Sequence, residues 1–545
     1  MNYPLISEYI EAIKYAEDNF ATLTNLRPVL GDDGNPIMSS GNFAVVFKMC
    51  DIDGKQYALK CFIRDQEGRN ESYRMIADGL KDVASDYLVK IQYLEKEFFV
   101  DTDQSTENEF PVLLMDWVEG DILDKYIKNH ISEPLCLEML ACDFAYFADW
   151  LLKQPFAHGD LKPDNILVKT DGSLVLIDYD GMFFPKMKGQ KARELGSPDF
   201  RHPQRSEDDF DEHIDDFALV TILLSLKALS LNNNLLETFN SKDSVLLHKI
   251  DFSNFAKSAV NQKLQELICD KIFARIYALF VVILAEKVVG KDLLNMLSNI
   301  VSKIDINEVQ YNYAQKLCDE GNGSEYALQK AFAIFEKLSK QNHVDGEICF
   351  SCCLMEGYGC IKNSEKGIDL IKYLAIKGNA RAQHALGVYY KNGKGIEKNI
   401  SKAVEWFTKA AEQGKTSAQF KLALCYYQGE GVAKDYPKAF RWFAKAAEQG
   451  DASSQYFLAF CYANGKGIGQ DYQKAVGWYS KAAEQGHDEA QVCMGICYEN
   501  GLGIKQDSQK AIEWYSKAAE QGNEKAKEKL NNLLERMKND DDLPF

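Results

Sequence analysis

Apolar side chains stand at helical spacing near the start of the chain, where Ile10, Ile13, Tyr15 and Phe20 predict a short helix over 7–20. A different pattern follows. Residues 39–48, the pair Asp53-Gly54 and residues 56–63 read as strand, turn and strand, and the apolar run Pro111 to Met115 reads as another strand. Residues 134–153 form an apolar helical stretch, Ser173 to Ile177 is strand-like, and residues 240–306 are apolar and helical without assignable boundaries.

From residue 307 the pattern repeats itself. Ala411-Glu412-Gln413-Gly414 recurs at 447–450, 483–486 and 519–522, and glycine pairs at 321/323, 357/359, 393/395, 429/431, 465/467 and 501/503 keep the same step of 36, so six units fill 307–523. Ala380 to Lys391 and Ser401 to Gln413 are helical on either side of Asn392-Gly393-Lys394-Gly395, which makes each unit a helix hairpin. Hairpins that bury their apolar faces only against neighbours stack into a solenoid with a concave binding surface. Leu530, Leu533, Leu534 and Met537 predict a capping helix over 524–538, and the acidic tail 539–545, with Asp540 to Asp542, is expected to be disordered.

Composition narrows the setting. A chain of 545 residues holds three or four domains' worth of material, and 46% hydrophobic residues suffice for real cores. The net charge of -18 argues against binding nucleic acid or anionic lipid, which rely on clustered Lys and Arg. The longest purely apolar run, Ile276 to Ala285, is too short to cross a bilayer, and Met1 to Ile10 does not read as a secretory leader. Fourteen cysteines, several within apolar helical patterns, fit a reducing compartment, so a cytoplasmic enzyme is expected. Cys349-x-x-Cys352-Cys353 has zinc-ligand spacing, but Cys353, Cys425, Cys461 and Cys497 share one repeat position, with Tyr389 in the second full unit, which favours packing.

The candidate chemistry concentrates in Phe156 to Val168. There Asp160, Lys162 and Asn165 put an acid, a cation and an amide on one loop that runs into an apolar strand. A solvated turn is the plain alternative, since Gly, Asp, Lys, Pro and Asn are all turn residues. Other stretches argue for chemistry: the small residues Ser39, Gly41 and Ala44 with Val46, the strand Tyr57-Ala58-Leu59-Lys60, and Asp178 thirteen residues beyond Asn165, followed by Tyr179-Asp180-Gly181. In this order they resemble the eukaryotic-type protein kinases, through the catalytic loop, the G-x-G-x-x-G-x-V loop, the V-A-I-K strand and a D-F-G segment with one extra residue. Gly196 to Gln204 resembles the docking segment that ends in A-P-E.

The resemblance implies an α+β bilobal protein-kinase-like domain over 1–306, with lobes at about 1–118 and 119–306, ahead of the all-α helix-hairpin solenoid. It implies ATP and magnesium as cofactors. Asp160 would orient the acceptor hydroxyl and Lys162 steady the γ-phosphate, in the arrangement of serine/threonine kinases, while Asn165 and Asp178 would hold magnesium, with Asp180 a rival. Lys60 would position ATP and be held by Glu71 or Glu67. Ser39, Gly41, Ala44 and Val46 would cover the nucleotide, and Ala58, Leu167 and the gatekeeper Met115 would line its pocket. The backbone of Asp116 and Val118 would bond the adenine edge, and Asp215 would brace the catalytic loop. The repeats resemble the Sel-one-like class, relatives of tetratricopeptide repeats, which implies a protein substrate or regulator as partner; the combination resembles bacterial proteins. A pseudokinase scaffold and a small-molecule phosphotransferase are the alternatives.

Three departures from the family stand out. Gly159 replaces the Arg that receives an activating phosphate, Gln204 replaces a Glu, and between Asp178 and Pro203 only Tyr179 and Ser197 carry hydroxyls. Activation without loop phosphorylation is the expectation.

Overall fold

The computed structural model describes residues 2–64, 68–193, 195–239, 246–286, 291–320 and 324–541. The chain divides into two compact units, Met1–Tyr313 and Ala314–Phe545. The division falls within the helix Ile306–Glu320. The reason is local: Tyr313 is buried, and its hydroxyl donates to Glu133 Oε2 at 3.2 Å, so the first half of that helix belongs to the first unit.

Six strands form the first sheet: β1 (Arg27–Pro28), β2 (Met38–Ser40), β3 (Ala44–Cys50), β4 (Gln56–Phe62), β5 (Ile91–Phe99) and β6 (Glu109–Asp116). Their order is β1-β3-β4-β6-β5, with β2 paired to β3 and every pair antiparallel. In β3, Val45, Phe47 and Met49 are fully buried and alternate with half-buried residues, as one covered face requires. The predicted N-terminal helix forms as α1 (Ile6–Lys14) and α2 (Ala16–Asn19). It backs the sheet: Tyr9 lies against Phe98, with ring centroids 5.8 Å apart, and its hydroxyl donates to the Phe62 carbonyl at 2.8 Å. Helix α3 (Arg69–Leu80) follows β4.

The rest of the unit is built on α4 (Leu123–Asn129), α5 (Pro134–Leu152) and α6 (Asp216–Leu231), with a small sheet of β7 (Asp121–Ile122), β8 (Ile166–Val168) and β9 (Leu174–Leu176). Helix α6 is buried on every side, Phe217 through Leu229 being enclosed, and its one buried cation, Lys227, pairs with Glu138 at 2.7 Å. The apolar stretch 240–306 is broken into the helices Lys249–Phe252, Ala259–Gln265, Lys271–Ala285 and Lys291–Val301.

After the 16-residue helix Glu325–Lys340, the second unit alternates helices of 13 residues, from Val344–Glu356 and Ser364–Ile376 to Asp488–Asn500 and Ser508–Glu520. The first glycine of each pair, at 357, 393, 429, 465 and 501, closes a helix in the left-handed region at φ between 63° and 80°. The pair 321/323 lies outside the described residues. Glutamine pairs lock the hairpins: the exposed Gln413, Gln449, Gln485 and Gln521 donate at 2.8 Å to the amide oxygens of the buried Gln383, Gln419, Gln455 and Gln491 respectively. Cys353, Cys425, Cys461 and Cys497 are buried in the repeat cores. The final helix runs Glu524–Asp541. A terminal helix has one neighbour, and accordingly Leu533 is buried whereas Leu534 and Met537 stay exposed.

Candidate active site

The site is assembled where β4, α3 and the loops on either side of β8 and β9 meet. Ser39 and Ser40 pair with Val46 and Val45 across the turn Gly41-Asn42-Phe43, and the Gly41 amide donates to the Ala44 carbonyl at 2.9 Å. The β-register sets Val46 opposite Lys60 and Ala58 opposite Met115. Ala58 is buried, and Leu167, Met115, Asp116 and Val118 are half-buried. The Asp116 amide donates to the Lys90 carbonyl at 3.2 Å.

Asp160 is held from three directions. Its carboxylate accepts from Lys162 Nζ at 2.8 Å, from Asn165 Nδ2 at 3.1 Å and from the Ser197 amide at 3.2 Å. Asn165 Nδ2 also reaches the Asp160 carbonyl at 2.8 Å. Burial works to lower Lys162, but Asp160, together with Asp178 and Asp164, outweighs it and holds the ammonium above the usual lysine range. Behind the loop, the buried Asp215 accepts from the backbone amides of His158 and Gly159, the latter at 2.9 Å. His158 Nε2 lies 2.9 Å from the Ile177 carbonyl, to which it must donate. The Ile177 amide in turn donates to the Asn165 carbonyl at 3.0 Å, which brings Asp178 beside the loop.

Lys60 is buried, and its ammonium lies 2.9 Å from Asp178 Oδ1 and 2.5 Å from Asp180 Oδ1. Burial alone would lower its pKa; Tyr73, Asp180 and Asp178 reverse that and hold it well above the lysine range. Burial likewise acts to raise Asp178, and Lys60 holds it below the usual carboxylate value. Asp178 stands in the left-handed region at φ 60°, a conformation Asp tolerates better than most residues and one that concentrates at functional sites.

The expected pair of Lys60 with Glu71 does not form. Glu71 is exposed, because the inward face of α3 carries Tyr73, Ile76 and Leu80. Glu67 lies outside the described residues. Tyr73 takes the inner place, its hydroxyl donating to Asp180 Oδ1 at 2.5 Å. Its signal in the sequence is the apolar spacing Tyr73, Ile76, Leu80. Two further residues fix the loops. Arg205 donates to the Gly159 carbonyl at 3.3 Å, and the buried Tyr179 pins its turn by accepting from the Val89 amide at 2.7 Å and donating to the Leu176 carbonyl at 3.0 Å.

Residues 35–279 match the sequence pattern of the family described as the protein kinase domain. The pattern of the Sel1 repeat matches 307–343, 348–379, 380–415, 416–451, 452–487 and 488–523. The chain is 31% identical over 147 residues to a probable serine/threonine-protein kinase of Saccharomyces cerevisiae, RTK1, a match that covers 26% of this chain and 22% of that protein. It is 24% identical over 200 residues to the serine/threonine-protein kinase WNK of Caenorhabditis elegans, covering 35% of this chain and 10% of the relative. The chain thus spans less than a quarter of either relative. Among solved structures, a Sel1 repeat protein from Oxalobacter formigenes is 32% identical, with 41% of this chain and 89% of that one covered at a TM-score of 0.37.

Proposed function

We propose that this chain, which belongs to the protein kinase family through residues 35–279 and continues into six Sel1 repeats, is an ATP- and magnesium-dependent serine/threonine protein kinase whose repeats recruit a protein substrate or regulator. The observation that carries the reading is the convergence of Asp160, Lys162 and Asn165 on one braced loop beside Asp178, itself paired with Lys60. Asp160 is oriented to accept a proton from a serine or threonine hydroxyl, and Lys162 keeps a positive charge beside it. Lys60 is a cation set to hold phosphate oxygens. Asn165 and Asp178 offer the hard oxygen donors that magnesium prefers, and magnesium when bound neutralises phosphate charge. These residues therefore fit the group. Positioning and charge neutralisation supply the rate enhancement.

The test is transfer of labelled phosphate from ATP with magnesium to a generic protein acceptor and to the chain itself. Incorporation into Ser or Thr that falls about 100-fold or more in Asp160→Asn and Asp178→Ala supports the reading. The exposure of Glu71, which leaves Lys60 without that partner, favours a non-catalytic scaffold. Nucleotide binding with no transfer to any acceptor would decide for that alternative.

A further inference from the structure

The extra residue in Asp178-Tyr179-Asp180-Gly181 supplies a second carboxylate beside Lys60. The two are not equivalent. Asp180 Oδ1 receives two donors, Lys60 Nζ and the Tyr73 hydroxyl, each at 2.5 Å, whereas Asp178 has a single contact with the ammonium at 2.9 Å. The Asp180 side chain is 15% exposed and that of Asp178 47%, against 9% for Lys60. One carboxylate is enclosed and the other open.

We propose that Asp180, anchored by Tyr73, is the group that positions Lys60, so that Asp178 is left to the metal with Asn165. The assignment rests on the kinase reading and names the division of labour within that site. A carboxylate oxygen that already accepts from an ammonium and a phenol has its lone pairs committed. A cation coordinated there would sit against the Lys60 charge. Asp178 can turn toward an ion by leaving its neighbours Lys60 and Asp180, and its exposure leaves room for it. The backbone enforces the choice: Tyr179, between the two acids, is bonded through its hydroxyl to Val89 and Leu176, so the short helical turn Tyr179–Gly181 holds Asp180 under Lys60. On α3, Tyr73 is clamped between Phe62 and Tyr93, with ring centroids 5.0 and 6.4 Å away, and its ring lies 5.7 Å from Lys60 Nζ. Helix α3 thereby contacts the phosphate-binding lysine through a phenol and a borrowed carboxylate. Tyr73 and Asp180 are positioning residues.

The experiment uses the intact chain and equilibrium binding of a fluorescent ATP analogue, with magnesium titrated at each nucleotide concentration. Asp180→Asn is expected to weaken nucleotide binding about tenfold while the magnesium midpoint stays within about twofold; Asp178→Asn is expected to raise that midpoint about tenfold or more. Tyr73→Phe removes one hydroxyl from a packed ring. It is expected to weaken the nucleotide about threefold alone and to add nothing in the Asp180→Asn background. A magnesium midpoint that moves as far in Asp180→Asn as in Asp178→Asn would overturn the assignment. So would nucleotide binding lost in Glu71→Gln or Glu67→Gln and kept in Asp180→Asn. Wild-type chain that binds no nucleotide overturns the assignment together with the kinase reading, whereas wild-type binding left unchanged by Asp180→Asn overturns the assignment alone.

Discussion

Gly159 stands where the family it resembles carries Arg, and the structure gives the substitution a steric cause. Its φ is +82°, and a Cβ there would lie 1.9 Å from the Gly181 carbonyl oxygen. Two loops that must touch leave room only for glycine. Gly159→Ala is therefore expected to cost about 3 kcal/mol of stability, read by urea unfolding, and to abolish phosphate transfer; an unchanged rate would refute the steric account. Asp216 shows a second residue-scale effect. It is 5% exposed, with His213 Nδ1 3.4 Å away, and burial pushes its carboxyl up to about 6 from 3.8. A carboxyl that binds its proton more tightly when folded contributes stability that is complete below its unfolded pKa and lost as pH rises through about 6. Asp216→Asn should then raise stability by about 1–3 kcal/mol at pH 8, by about half as much at pH 5 and by little below the unfolded pKa, compared by urea midpoints. Neither effect was legible beforehand. The order Lys60, Asp160, Asn165, Asp178 could be read from motif spacing, but Tyr73 could be chosen over Glu71 only by knowing which face of α3 turns inward.

At the scale of elements, the repeats were the most legible part, because each of their signature residues answers to a local constraint. The second glycine of a pair lets its loop meet the preceding hairpin: a Cβ on Gly467 would lie 2.3 Å from the Tyr436 carbonyl oxygen, and one on Gly503 2.3 Å from that of Tyr472. The Trp-x-x-Lys spacing stacks an ammonium on an indole one turn away, at 4.1 Å for Lys409 on Trp406 and 4.0 Å for Lys481 on Trp478. Two helical glycines separate packing from propensity. A Cβ on Gly495 would fall 2.4 Å from the Tyr515 ring, whereas Gly477 has nothing within 4 Å. Gly477→Ala is expected to stabilise the chain by about 0.5–1 kcal/mol and Gly495→Ala to destabilise it by about 1–3 kcal/mol, both read from thermal unfolding. A shift of the same sign in both would mean that helix propensity, not the close approach to Tyr515, sets the requirement. The 240–306 segment was poorly legible for the opposite reason. Apolar runs in a core have no polar face to mark where one helix ends.

For the whole molecule, two compact units joined within one helix allow separate tests of chemistry and recruitment. Truncation after Glu320 keeps that helix. It should leave turnover of a generic peptide within about threefold and lower phosphorylation of the natural partner by about tenfold or more, since tethering raises local concentration. Equal loss on both substrates would make the repeats a support for the kinase unit. By itself the sequence determined the number and period of the repeats, the hairpin within each, and the order of the chemistry-bearing residues, because all three depend on spacing along the chain. Tertiary structure alone decided that α3 offers a phenol rather than a carboxylate, that Asp180 rather than Glu71 meets Lys60, and that residue 159 must lack a side chain. Those outcomes depend on which faces pack and which loops collide, and residues 118 and 120 positions apart come within 3 Å only once the sheet and the loops are assembled.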